Sequence, residues 1–136
     1  MELKSLAVAA AFWSFGAITA SAAAYKCELK SFSLHGGVPE VMYVWIGTDE
    51  GAAGVFDPII ASVQAEPAPA RLRQMSANKY ELTWSVEDVP MAGNHKLSFQ
   101  FTARFNLASG RISLVSYVGG FANENKGEGK CEAYTG

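Results

Sequence analysis

The chain has 136 residues, 49% of them hydrophobic and 18% charged, with a formal net charge of −2. That is enough chain for one core and too little for two. A near-neutral, slightly acidic balance gives no overall electrostatic signature for nucleic acid or an anionic membrane surface, and neither is an expected partner.

Met1 to Lys4 carry a basic residue, Leu6 to Ile18 are mostly apolar, and Thr19 to Ala24 are small. These are the three parts of an exported leader, so residues 1–24 are read as a signal peptide cut after Ala22 or after Ala24. The apolar run rises only about 20 Å as a helix against the roughly 30 Å of a bilayer core. No stable membrane span is expected after cleavage. The first arginine is Arg71, which argues against a twin-arginine leader, and Lys26 suits no lipidated cysteine. Residues 25–136 are expected to form a single β domain, periplasmic or secreted. Glu2 and Lys4 cancel, so the mature chain keeps the net charge of −2.

Two cysteines survive, Cys27 and Cys131. In an oxidising compartment an even count favours one internal disulfide. Two free thiols and an intermolecular bridge are the rival readings.

The opening strand is predicted over 25–34. Glu40 to Ile46, dense in apolar side chains (Val41, Met42, Tyr43, Val44, Trp45 and Ile46), suits a strand buried on both faces. Residues 53–64 read two ways: Asp57-Pro58 can cap a short helix, but Val55, Phe56, Ile59 and Ile60 favour a strand bent at proline, the preferred reading. Residues 66–70, with Pro67 and Pro69, read as an extended connector. A strand over 71–75, a turn at 76–79 and a strand over 80–86 follow. Residues 88–94 read as a loop. From Leu97 to Leu107, Leu97, Phe99, Phe101, Ala103 and Phe105 alternate without a break against polar residues, the firmest strand signature in the chain. Ala108-Ser109-Gly110 turns it into a returning strand over 111–118. From Gly119 onward the glycine-rich, polar sequence reads as irregular.

Together these elements predict an all-β fold, a small antiparallel sandwich or barrel of six to eight strands. Residues 97–107 also have the length of a membrane-spanning strand, but an outer-membrane barrel needs at least eight such strands and the others are too short.

The chemistry is sparse. His35 and His95 sit in glycine- or asparagine-flanked loops with no ligand spacing around them, and neither a metal nor a cofactor is expected. No Gly-x-Ser-x-Gly elbow is present. Asp49, Glu50 and Asp57 form a loop cluster that paired-carboxylate hydrolysis could use, although solvated turn acids are commoner. Glu124, Glu128 and Glu132 alternate with Lys126 and Lys130 as a charge-mixed surface. Arg71 and Arg73 point to one face, the densest basic pair among otherwise scattered cations. Trp45, Trp84, Phe99 and Phe101 are candidate ligand-facing aromatics of a small barrel, or fill its core.

Val55-Phe56-Asp57 with Ile60, Pro69-Ala70, Leu82-Thr83-Trp84, Gly120-Phe121-Ala122-Asn123 and Gly127-Glu128-Gly129-Lys130-Cys131 resemble, as a set, a group of small exported bacterial proteins with a cysteine near each end. The resemblance covers most of the mature chain. It implies bacterial origin and the terminal disulfide, and it carries no activity. Tyr25-Lys26-Cys27 is also similar to the opening of periplasmic inhibitors of C-type lysozyme, but their serine- and lysine-containing loop motifs are not recognisable here.

The leading expectation is therefore an exported, non-enzymatic protein that binds a partner. The other two are a small barrel carrying an apolar ligand, and a hydrolase using the loop carboxylates Asp49 and Asp57.

Overall fold

Period-2 alternation is obeyed by almost every extended segment, and closure of the resulting sheet decides the architecture. The computed structural model describes residues 22–32, 37–47, 52–119 and 124–135. In chain order these form β1 (Ala22–Ser31), β2 (Val41–Gly47), β3 (Ala52–Phe56), α1 (Pro58–Ala61), β4 (Ala68–Gln74), β5 (Lys79–Met91), β6 (His95–Asn106), β7 (Arg111–Val118) and β8 (Glu124–Ala133). Each strand pairs antiparallel with the next, and β1 pairs with β8, so the sheet is one closed eight-stranded up-and-down barrel. The sandwich alternative is thereby set aside. Residues 1–21 of the expected signal peptide lie outside the described residues.

Eight strands enclose an interior just wide enough for side chains to fill. Phe101, Phe105, Met42, Leu82, Leu114, Val44 and Val55 fill it and are essentially inaccessible. Trp84 stacks on Phe101 with ring centroids 5.1 Å apart, and Phe99 continues the stack at 6.0 Å. At the lower end, which carries the β4–β5 turn, Tyr25 meets Phe105 edge-on at 4.9 Å. At the upper end, α1 drops the fully buried Ile60 into the barrel. Beside it the segment 37–40 tucks in: Ser116 Oγ donates to Gly37 O at 2.7 Å, and Val38 occupies the space that a Cβ on Gly127 would need.

Outward positions are polar on most strands. Lys26, Glu28 and Lys30 of β1 stand directly opposite Glu132, Lys130 and Glu128 of β8, three complementary cross-strand pairs in succession. Opposed charges at such positions each stabilise a pairing by a few tenths of a kcal/mol to about 1 kcal/mol. An outer-membrane barrel needs an apolar outer band and a polar interior; this wall has the reverse pattern.

Several sequence expectations need correction. Residues 124–133 form β8 instead of an irregular tail. Its inward positions are Asn125, Gly127, Gly129 and Cys131, so no hydrophobic period announces the strand. Residues 68–70 belong to β4, although Pro67 and Pro69 read as a connector. Strand β5 runs through Met91, past a bulge between Val86 and Val89 where Asp88 takes φ 57°; the bulge returns Val89 to the core. Residues 53–64 divide: the strand ends at Phe56 and the helix reading holds for 58–61, with Asp57 as its cap. Strand β2 is buried on its inner face only, with Tyr43 and Trp45 half-buried outside. His95 opens β6 instead of lying in a loop.

Candidate binding surface

Of the four candidate ligand-facing aromatics, Trp84, Phe99 and Phe101 point inward and form one stack that is itself the core. Trp45 faces the other way. On the outer wall it stacks with Tyr43 at 6.4 Å, and Tyr43 meets Tyr134 at 4.9 Å. Phe56 stands across from Tyr43 in register. Trp45 lies over Gly54, its ring 3.9 Å from where a Cβ on that residue would sit.

The loop acids do not converge among the described residues. Asp49 and Glu50, like His35, lie outside them. Asp57 is a buried structural group: its Oδ1 accepts from the Ile60 amide at 2.8 Å and caps α1, while Oδ2 has no hydrogen-bond partner. Burial pushes its carboxyl above the usual range, against the lowering effect of the Ile60 and Ile59 amides. Among the described residues no three His, Cys, Asp or Glu side chains gather as a metal site would require. Cys27 and Cys131 are joined as a disulfide between directly paired residues of β1 and β8, a bond at home in an oxidising compartment.

Asp57 supplies a stability prediction. A carboxyl whose pKa is raised by folding favours the folded state most below its unfolded value, near 3.9, and that contribution is lost as pH rises through the folded pKa. Asp57→Asn keeps the capping oxygen and removes the charge. It should match wild type at low pH and become the more stable protein as pH rises toward neutral. Asp57→Ala, which loses the cap, should be destabilised by about 1 kcal/mol. Denaturant unfolding of the three proteins at acidic and neutral pH checks both, and equal stability of wild type and the Asn variant at neutral pH would contradict the assignment.

Sequence reading singles out Arg71 and Arg73 as a pair but not the cluster of cations they join. The chain has four arginines, Arg71, Arg73, Arg104 and Arg111. Strand registers gather all of them on the outer wall of β4–β7, in the half nearer the lower end. Arg73, Glu81 and Arg104 lie in one cross-strand row, and Ser113 continues it. Arg71, Thr83 and Thr102 form the next row up, and Lys79 and Asn106 the row below. Glu81 accepts from Arg73 Nη2 at 2.9 Å and from Arg104 Nε at 3.4 Å. The Arg73 hydrogen bond chiefly holds its carboxyl below the usual range. A groove of about 450 Å³ opens among Met75, Lys79, Arg104, Arg111, Ser113 and Glu128. Spacing along the chain hides this cluster, because the contributing strands are separated by turns and only the register brings them together.

Comparison with known family models, with curated proteins and with solved structures gives no match to this chain.

Proposed function

We propose that this is an exported, non-enzymatic protein of the periplasm or the extracellular medium that binds its partner through the outer wall of the barrel. The observation that carries the reading is the filled lumen. The stack of Trp84, Phe101 and Phe99, with Met42, Leu82 and Leu114 around the interior, occupies the space a carrier of apolar molecules would keep open. A carrier role would require those rings to part, and a domain of this size has little other apolar surface with which to hold itself together. Recognition then falls to outward side chains.

The wall also bears on processing. Ala23 and Ala24 pair with Ile46 and Trp45, and the Ala24 carbonyl accepts from the Tyr134 amide at 2.8 Å. Cleavage after Ala22 would keep these bonds, and cleavage after Ala24 would remove them.

Titration of isotope-labelled protein with native envelope extract, followed by NMR, tests the reading. Amide shifts confined to outward-facing positions are expected. Shifts centred on Trp84, Phe99 and Phe101, with the outer wall unchanged, would establish a carrier instead.

A further inference from the structure

A net charge of −2 conceals a strong separation of charge. On the lower half of the β4–β7 wall, Arg71, Arg73, Lys79, Arg104 and Arg111 face outward with Glu81 as the carboxylate on those strands, and Glu128 of the neighbouring β8 lies 3.9 Å from Arg111. That half-wall therefore carries +4, which leaves the rest of the chain at −6. The side chains of Arg73, Arg104 and Arg111 are 62%, 64% and 67% exposed. Glu81 holds two of the guanidinium groups in place without covering them. Between the cations stand Thr83, Thr102, Asn106 and Ser113, which offer hydroxyl and amide groups.

From this arrangement, and resting on the outer-wall reading above, we infer that the β4–β7 wall binds an acidic polysaccharide. The following features select that partner. Guanidinium forks match carboxylate and sulfate oxygens two-to-two. The interleaved hydroxyl and amide groups suit the hydroxyls of sugar rings. Four consecutive strands of eight span about half the barrel wall, some 14 Å along the curve at about 4.8 Å per strand. A flat bilayer touches a cylinder along one line and cannot reach Arg73 and Arg111 together, whereas a flexible chain can follow the curve. Single-stranded nucleic acid is bound on aromatic stacking platforms, and this half-wall presents none among its described outward residues. Arginine clusters also hold acidic peptides, so poly-glutamate is the decisive comparison; the hydroxyl and amide groups between these cations favour sugar rings.

The test is calorimetric titration of the purified mature protein with polygalacturonate at low salt. Neutral dextran, poly-glutamate, an oligothymidylate and vesicles containing anionic lipid serve as the comparison ligands. Polygalacturonate should bind most tightly, with affinity falling as salt is raised. Arg104→Gln/Arg111→Gln should weaken it at least tenfold with an unchanged melting temperature, and Lys96→Gln, at the opposite end of the barrel, should bind as wild type does. Tighter binding of any comparison ligand, or full affinity in the double variant, would overturn the inference. A wild-type protein that ignores polygalacturonate overturns it too; outer-wall shifts persisting in envelope extract would then leave the broader reading standing.

Discussion

Gly129→Ala is expected to lower the melting temperature by at least about 10 °C. Gly129 sits on the inner face of β8, directly opposite Leu29 of β1. A Cβ there would collide with the carbonyl oxygen of Glu28 and lie 2.7 Å from the Cα of Leu29. These are backbone atoms, so no change of rotamer relieves the clash. Overpacking that side chains can absorb costs about 1–3 kcal/mol; here the two strands must move apart, and the cost should reach about 3 kcal/mol or more. At roughly 4–8 °C per kcal/mol for a domain near this size, the shift is large. Gly54→Ala is the control. Its new Cβ would meet its neighbours at ordinary distances of 3.7–3.9 Å, and its melting temperature should stay near or slightly above that of wild type. Thermal denaturation followed by circular dichroism reads both. A Gly129→Ala protein that melts with wild type would refute the close approach of β1 and β8.

The same crowding explains why β8 is built as it is. Glycine at 127 leaves room for Val38, and glycine at 129 lets the Glu28 carbonyl approach. On the outside, charges of alternating sign on β8 meet the opposite signs on β1 in register. The strand that closes the barrel is thus specified by what its inner positions lack and what its outer positions carry.

That is why it was illegible in the sequence. The strand β6 was plain, because its inward positions are Leu97, Phe99, Phe101, Ala103 and Phe105 and its outward ones are polar. All-β architecture and a count of six to eight strands followed from such runs and from the turns between them. β8 offers the same period in another alphabet, glycine and asparagine inside and charge outside, which a hydrophobicity pattern cannot detect. Pro67 and Pro69 masked the start of β4, and Asp88 with Pro90 masked the bulge that lengthens β5. The candidate site was less legible still. Trp84 and Trp45 look alike in the sequence, and only the parity of their strands sends one inward and the other outward. The four arginines lie on three strands, and their convergence depends on cross-strand register, which no local pattern encodes.

The second large effect concerns the bond across the same seam. Cys27 and Cys131 are directly paired residues, 104 apart in the chain. Closing a loop of that length restricts the unfolded chain by about 4–5 kcal/mol in the chain-entropy view, and removing a native disulfide from a small exported domain commonly costs 2–5 kcal/mol. Cys27→Ala/Cys131→Ala should therefore lose about 2–5 kcal/mol in denaturant unfolding. The loss should fall first on β1 and β8, the strands most distant in sequence. Site-resolved amide hydrogen exchange on the oxidised wild-type protein tests closure most directly. If the first and last strands seal the barrel, hydrogen-bonded amides of 25–31 and 127–132 are protected to nearly the same degree as those of 99–105, and reduction lowers that protection by the same few kcal/mol. Rapid exchange along 25–31 and 127–132 in the oxidised protein, with 99–105 still protected, would mean that the sheet is open and the lumen is not the sealed core described above.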